Sequence, residues 1–189
     1  MIRPAFACFT IICALLAIGC RNEIKREVLA RVLSSSGGII IVRGNTNERF
    51  PSIGDEHFLP VDCHIETAAD GTIDIAAVPG TLVRLGPVSD LSINELKITR
   101  DGDAMVNAMT ARSVQLRVTR GVIHAIVDET RTDARLRIDI PAGAIIAGRG
   151  CTFYLAIQAN QTRLTCVRGT VRLVQPNALS PAAVEAGYF

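Results

Sequence analysis

Apolar and polar positions alternate with a period of two residues along most of the chain after residue 38. Ile73 and Ile75 alternate with polar neighbours, and the same rhythm returns around Leu116, Ile138 and Leu155. Successive side chains of a β-strand point to opposite faces, so this rhythm is typical of strands with one buried and one solvated face. The pattern predicts an all-β fold.

Turn-forming residues separate these runs, at 70–71, 79–80, 86–87, 101–102, 120–121, 141 and 160–161. Short amphipathic strands joined by such turns indicate a short-strand sandwich or roll, or a solenoid-like stack. Residues 39–42 predict a further strand, and residues 45–55 a loop. Between Ile24 and Leu33 the apolar residues have helix-like spacing, but that run is short and ends in serines and glycines.

Six residues at the turns are the candidate structural sites. Glycine adopts positive φ and allows close approach of two backbones, and aspartate accepts hydrogen bonds from nearby backbone N–H groups. Such residues specify a scaffold rather than a reaction. They are Asp70, Gly71, Gly86, Gly121, Gly150 and Gly169.

The chain opens with an apolar run. Arg3 precedes this run, and small residues end it directly before Cys20. These features indicate a secretory signal peptide over residues 1–19. Residues 16–20 resemble the bacterial lipobox, in which the cysteine receives lipid, although Ala17 stands where that motif prefers leucine. We expect lipid on Cys20 and a short tether over residues 20–29. Plain secretion and an uncleaved short anchor are the alternatives.

Composition and motifs exclude several function classes. The chain has 189 residues, with 20 Lys and Arg against 18 Asp and Glu, and its net charge of +2 gives no electrostatic reason for nucleic-acid binding. No nucleotide-binding or hydrolase motif occurs. Cys63 and His64 face opposite sides of a predicted strand, and His57 has no second ligand at a zinc-like spacing. We therefore expect no catalysis, no cofactor and no metal site.

Three cysteines follow Cys20: Cys63, Cys151 and Cys166. Free cysteine is often a small buried residue, and we expect all three in the core. A disulfide between Cys151 and Cys166 is the open alternative, because the two flank a predicted hairpin near residue 160.

The order of motifs over residues 30–176 resembles the FecR domain family. The segments that carry the resemblance are Asp-Gly at 70–71, Val-Arg-Leu-Gly-Pro-Val-Ser at 83–89, Arg-Gly-Cys-Thr-Phe at 149–153 and Gly-Thr-Val at 169–171. Cys151 replaces the threonine of the family pattern. The resemblance implies a non-catalytic FecR-type β domain over 30–176, followed by a C-terminal tail over 177–189. It also implies an envelope location, as in members that cross the inner membrane and control a sigma factor.

These observations predict a non-catalytic lipoprotein that faces the periplasm from the inner or outer membrane and binds an envelope protein. The candidate partner contacts are Arg149, beside a glycine turn, and Tyr154, opposite in phase to Phe153. Arg149 also fits a contact with a carboxylate inside the fold. The alternative functions are a glycan- or peptidoglycan-binding module, or a single-pass membrane-anchored signalling protein.

Overall fold

The computed structural model describes residues 23–44, 46–49, 57–102, 108–129, 133–159, 161–176, 178 and 180–187. These residues form sixteen strands and no helix, which confirms the all-β prediction. None of them belongs to a helix with the length and apolar character needed to cross a membrane. Cys20 and the predicted signal peptide lie outside the described residues.

The strands are β1 (Glu23–Glu27), β2 (Ala30–Ser36), β3 (Ile39–Arg43), β4 (Thr46–Arg49), β5 (Phe58–Leu59), β6 (Cys63–Thr67), β7 (Thr72–Val78), β8 (Thr81–Leu85), β9 (Asp90–Asp101), β10 (Met109–Val127), β11 (Asp133–Ile140), β12 (Gly143–Gly148), β13 (Cys151–Gln158), β14 (Gln161–Arg168), β15 (Thr170–Val174) and β16 (Ala182–Glu185).

Two sheets share the long strand β10 and enclose one core. The first sheet has the order β4-β3-β6-β9-β10-β11-β12-β15-β16, with β1 beside the C-terminal half of β9. The second sheet has the order β5-β2-β7-β8-β10-β13-β14. The inward residues of both sheets are mainly Val, Ile and Leu, and they form one continuous cluster around Phe153. The alternating runs of the sequence are therefore the inner faces of the two sheets.

Strand β10 passes from the first sheet to the second at Gly121, where φ is +106°. A Cβ at this position would lie 2.1 Å from Ser89 Oγ, so the corner accepts only glycine. The sequence predicted a turn between two strands at 120–121, and that was wrong. The strand continues because β9 pairs with it before the corner and β8 and β13 pair with it after.

Strands β10 and β11 are parallel, whereas the other pairings between described strands are antiparallel. Their register runs from Ala111 opposite Asp133 to Arg117 opposite Asp139. Between these two paired segments the chain passes through the second sheet and returns to the first, which makes one solenoid-like turn. The fold thus combines a two-layer arrangement with one solenoid-like crossover.

In three segments the structure has strands that the sequence did not predict. The helix-like spacing at 24–33 was misleading, because β1 pairs with β9 and β2 pairs with β7 and β5. Strand β1 lies within the interval assigned to a tether, and β16 lies within the interval assigned to a tail. Strand β4 lies within the predicted loop at 45–55, of which residues 45 and 50–55 are outside the described residues.

Candidate functional site

The outer face of the second sheet carries one straight row of side chains that crosses six strands. The strand registers place each member directly opposite the next, because a residue and its cross-strand partner point to the same face. We call this set the cross-strand row. In order, from β2 to β14, it consists of Ser34, Asp74, Arg84, His124, Tyr154 and Thr165.

A network of charge-assisted hydrogen bonds fixes the first half of the row. Arg84 donates from Nε and Nη2 to the two carboxylate oxygens of Asp74, at 2.6 and 2.8 Å. Ser34 Oγ donates to Asp74 at 2.6 Å. The Arg84 hydrogen bonds are the main reason that the pKa of Asp74 lies below its usual value. The two charges neutralise each other, so this part of the face has a fixed geometry without a net charge.

Beyond Arg84 the row continues with two aromatic rings, those of His124 and Tyr154, and Thr165 ends it. The rings of His124 and Tyr154 stack with their centroids 4.2 Å apart and an interplanar angle of 10°. Partial burial, followed by the positive charge of Arg84, lowers the pKa of His124. The imidazole is therefore neutral at neutral pH. Tyr154 remains 46% exposed, and His124 covers one face of its ring.

Apolar side chains flank the row on both sides. Leu33, Leu82 and Val122 are 50%, 40% and 45% exposed, although their residue type normally lies in a core. Leu33, Leu82 and Ile126 line a shallow groove of about 200 Å³ beside Arg84 and His124. This volume is below the range of about 300–1,000 Å³ that is typical of small-molecule pockets. The face therefore combines exposed apolar side chains with a groove that is too small for most small-molecule ligands.

The outer face of the first sheet has a different character. Lys97 pairs with Glu95 at 2.6 Å, and Arg137 pairs with Asp139 at 2.8 Å. Gln115 donates to the same Asp139 at 2.7 Å. These are the exposed charged pairs that a solvated sheet face carries. The apolar, partly aromatic face of the second sheet is consequently the candidate interaction site.

The row contains a serine, a histidine and an aspartate, but these three do not form a catalytic triad. Strands β7 and β8 separate Ser34 from His124, and Ser34 donates to Asp74 instead. Nucleophilic catalysis requires the histidine to accept the proton of the serine hydroxyl directly. The arrangement supports binding and offers no activated nucleophile.

Of the two partner contacts suggested by the sequence, the structure places Tyr154 in the row and Arg149 elsewhere. Arg149 is exposed in the turn between β12 and β13. The ion pair beside this turn joins Arg168 to Glu129, with Nη2 and Oε1 2.5 Å apart. Glu129 is thus paired with Arg168, and the contact of Arg149 with a carboxylate or a partner stays a prediction.

The structural turn residues lie where the chain changes direction. Asp70 Oδ1 accepts a hydrogen bond from the Gly38 amide at 3.2 Å, and a Cβ on Gly71 would lie 2.4 Å from Gly38 O. The turn before β7 therefore packs backbone against backbone on the turn before β3. The remaining members are Gly86 between β8 and β9, Gly121 in the β10 corner, Gly150 between β12 and β13, and Gly169 between β14 and β15.

Cys63, Cys151 and Cys166 are free thiols and are buried in the core. Cys151 Sγ donates to Thr170 O at 3.2 Å, and Cys166 Sγ donates to Gly169 O at 3.3 Å. Burial raises the pKa of Cys166. The hairpin between β13 and β14 places Phe153 opposite Cys166.

Sequence reasoning missed Asp74, Arg84 and His124 as members of one surface. The period-two pattern gave the outward phase of each strand, but strand neighbours and register decide which outward residues meet. Asp74 by itself resembled one more solvated acid. The signal that would have helped is the run of bulky residues in outward positions, such as Leu82 and Val122.

Comparison with known proteins bears on the fold and the family. Residues 64–172, more than half of the chain, match a family model described as FecR protein. This match confirms the resemblance seen in the sequence motifs. No curated protein matches the chain.

Proposed function

Because the chain belongs to the FecR protein family, we propose that it is a non-catalytic envelope protein that binds a protein partner through the cross-strand row. Members of this family are envelope-associated proteins with regulatory and sensing roles. The proposal adds a lipid anchor on Cys20 and a periplasm-facing β domain. The observation that carries it is the cross-strand row itself, a neutral ion pair followed by two stacked rings, with exposed apolar side chains beside it.

The chemistry of the row indicates what kind of partner it fits. The carboxylate and guanidinium of Asp74 and Arg84 satisfy each other, so this pair offers no net charge to an ionic ligand. The exposed fractions of Leu33, Leu82 and Tyr154 provide apolar area with one aromatic anchor. Interface cores are enriched in aromatic residues and depleted of unpaired charges. The partner is therefore an envelope protein that presents an apolar patch.

The anchor rests on the leader pattern. Cys20 follows small residues at the end of an apolar run, and a lipidated cysteine would tether the domain to a membrane surface. Each buried methylene of an acyl chain contributes about 0.8 kcal/mol, so two or more chains anchor a protein stably.

Site-specific crosslinking in cells tests the docking surface. In the test variant, the photo-reactive residue p-benzoylphenylalanine replaces Val122 on the outer face of the second sheet. In the matched control it replaces Arg137 on the outer face of the first sheet. We expect a discrete protein adduct from position 122 and none from position 137. The adduct should be lost when Tyr154→Ala and Leu82→Asp are added. Equal adducts from both positions, or adducts of peptidoglycan or polysaccharide alone, would contradict the proposal.

Metabolic labelling with a palmitate analogue tests the anchor. The wild-type chain and the control variants Cys8→Ala and Cys13→Ala, whose substitutions lie within the leader, should incorporate label. The Cys20→Ala variant should incorporate none and should leave the membrane fraction. Labelling of Cys20→Ala at the wild-type level would rule out lipid attachment at this cysteine, and an unlabelled but membrane-bound wild type would favour an uncleaved anchor.

A further inference from the structure

Three potential metal ligands meet on the outer face of the first sheet, away from the cross-strand row. His64 and Glu66 are two residues apart on β6, so both point outward. The register of β6 with β9 places Ser92 opposite His64 and Asp90 opposite Glu66. The third ligand, the carboxylate of Asp90, thus comes from β9, 24 residues after Glu66 in the chain.

The donor atoms already have the spacing of a metal site. His64 Nε2 lies 3.3 Å from Glu66 Oε1 and 3.6 Å from Asp90 Oδ2. One donor atom from each of the three residues lies within 4.8 Å of the other two. A tetrahedral zinc ion with ligand bonds of about 2.0–2.2 Å holds its ligand atoms roughly 3.3–3.6 Å apart. The cluster would therefore need only small side-chain movements to bind such an ion.

A neighbouring hydroxyl orients the imidazole. His64 Nδ1 forms a hydrogen bond with Ser92 Oγ at 3.0 Å. This bond engages one ring nitrogen, and the other, Nε2, faces the two carboxylates and lies within hydrogen-bond distance of Glu66 Oε1. Histidine ligands of metals characteristically make such a bond through the other ring nitrogen, which fixes the tautomer and the ring direction. The side chains of His64, Glu66 and Asp90 are 30%, 42% and 18% exposed, so an ion can enter from solvent.

The electrostatics of the cluster also favour a cation. Glu66 and Asp90 are directly opposite on neighbouring strands, where like charges destabilise a sheet. Strand β10 brings two guanidinium groups to the other side of the cluster: Arg117 pairs with Ser92 in register, and Arg120 pairs with Asp90 and lines the same hollow as Glu66. A divalent ion beside His64 would lie between the two carboxylates and would offset their direct repulsion.

We propose that His64, Glu66 and Asp90 bind a zinc ion, with Ser92 as the residue that positions His64. One imidazole nitrogen and two carboxylate oxygens are ligands that zinc accepts, and three protein ligands leave a fourth position for water or for a donor from a partner. Calcium and magnesium prefer six or more oxygen ligands, which this set does not supply.

The sequence predicted no metal site because it compared only local neighbours. Cys63 is fully buried and His64 points outward, as strand alternation required. The ligands that meet are instead the i and i+2 residues of one strand and a residue from β9. Local spacing cannot reveal a ligand set that depends on strand register.

Metal titration tests the site. The full-length protein in detergent is first treated with a chelator and is then titrated. The wild type should bind one equivalent of zinc from zinc chloride. His64→Ala or Glu66→Gln should weaken the zinc affinity at least ten-fold. Ser92→Ala should weaken it about ten-fold. His57→Ala and His124→Ala are the matched controls and should bind as the wild type does. Circular dichroism establishes that each variant is folded.

Cobalt(II) distinguishes this site from a thiolate site. Cobalt bound by His64, Glu66 and Asp90 should give the visible absorption of a tetrahedral nitrogen and oxygen site, without the near-ultraviolet bands of cysteine coordination. Equal zinc affinity of the wild type and His64→Ala, an undetectable zinc equivalent in the wild type, or thiolate bands in the cobalt spectrum would each overturn the proposal. None of these outcomes bears on the docking surface, which lies on the other sheet.

Discussion

Arg112 and Asp128 lie near opposite ends of β10, yet they form an ion pair with Nη2 and Oδ1 2.5 Å apart. The pair exists because β10 changes sheets at Gly121, which brings its two ends together. Arg112 also donates from Nη1 to Pro79 O in the turn between β7 and β8. A buried arginine thus links the two ends of the shared strand to a turn of the second sheet.

Replacing Arg112 with alanine should lower the free energy of unfolding by about 2–4 kcal/mol, because it removes a buried guanidinium that donates hydrogen bonds to both Asp128 and Pro79 O. The exposed pair between Arg137 and Asp139 provides the control, and Arg137→Ala should cost at most about 1 kcal/mol. Urea unfolding followed by circular dichroism measures both. Similar losses for the two variants would show that the Arg112 pair has no special structural role.

Gly121→Ala should destabilise the fold by more than about 2 kcal/mol, because the alanine Cβ would overlap Ser89 and because φ lies in the region that L side chains rarely adopt. Gly148→Ala is the matched control. A Cβ at Gly148 would meet its nearest neighbour, Ala134 O, at 3.8 Å, so the change should stay within about 0.5 kcal/mol. Thermal or urea unfolding of the two variants side by side checks the difference, and wild-type stability for Gly121→Ala would refute the rigid corner.

Acidification should weaken the fold through His124. Burial lowers the pKa of His124 in the folded chain, so between that pKa and the unfolded value near 6.5 the unfolded state binds more protons. The stability that depends on neutral His124 is therefore complete above about pH 6.5 and is lost as pH falls through the folded pKa. Urea unfolding of the wild type and of His124→Gln at several pH values between 7.5 and 5 should show a steeper decline for the wild type. Parallel curves, or an NMR titration midpoint of His124 at or above 6.5, would count against this.

Thiol labelling should show that the three core cysteines are protected in the folded chain. Cys63, Cys151 and Cys166 are buried, and burial raises the pKa of Cys166, which lowers its thiolate fraction at pH 8. Iodoacetamide should modify these three residues only after the chain has been unfolded in guanidinium. Mass spectrometry of the peptides that contain them measures the modification. Rapid modification of Cys166 in the folded chain would show that β14 opens readily. A Cys151–Cys166 disulfide in peptides from unreduced protein would contradict the free-thiol structure.

The sequence predicted the fold class well because the relevant information is local. The alternation around Leu116, Ile138 and Leu155 directly reflects which face of each strand is buried, and all three are core residues. The corner at Gly121 illustrates the limit, since the same glycine is compatible with a turn or with a continuous strand. Only the pairing of β10 with strands on both sides decides between them.

The two candidate sites could not be predicted because both are assembled by register. Asp74 and Arg84 meet through the pairing of β7 with β8, and Glu66 and Asp90 meet through that of β6 with β9. Period-two patterning says that each of these residues points outward and gives no information about its neighbour on the next strand. A one-residue change in either register would send the partner to the other face.

The pairing of β1 with β9 has a consequence for the order in which this chain can fold. Glu27 lies opposite Lys97, and Glu23 lies opposite Asp101, so the first strand has no partner until about seventy more residues are available. High contact order of this kind slows folding, because distant segments must meet before their contacts stabilise anything. During synthesis, β1 therefore stays without its sheet neighbour until β9 has been made, although pairings between closer strands such as β7 and β8 can form earlier.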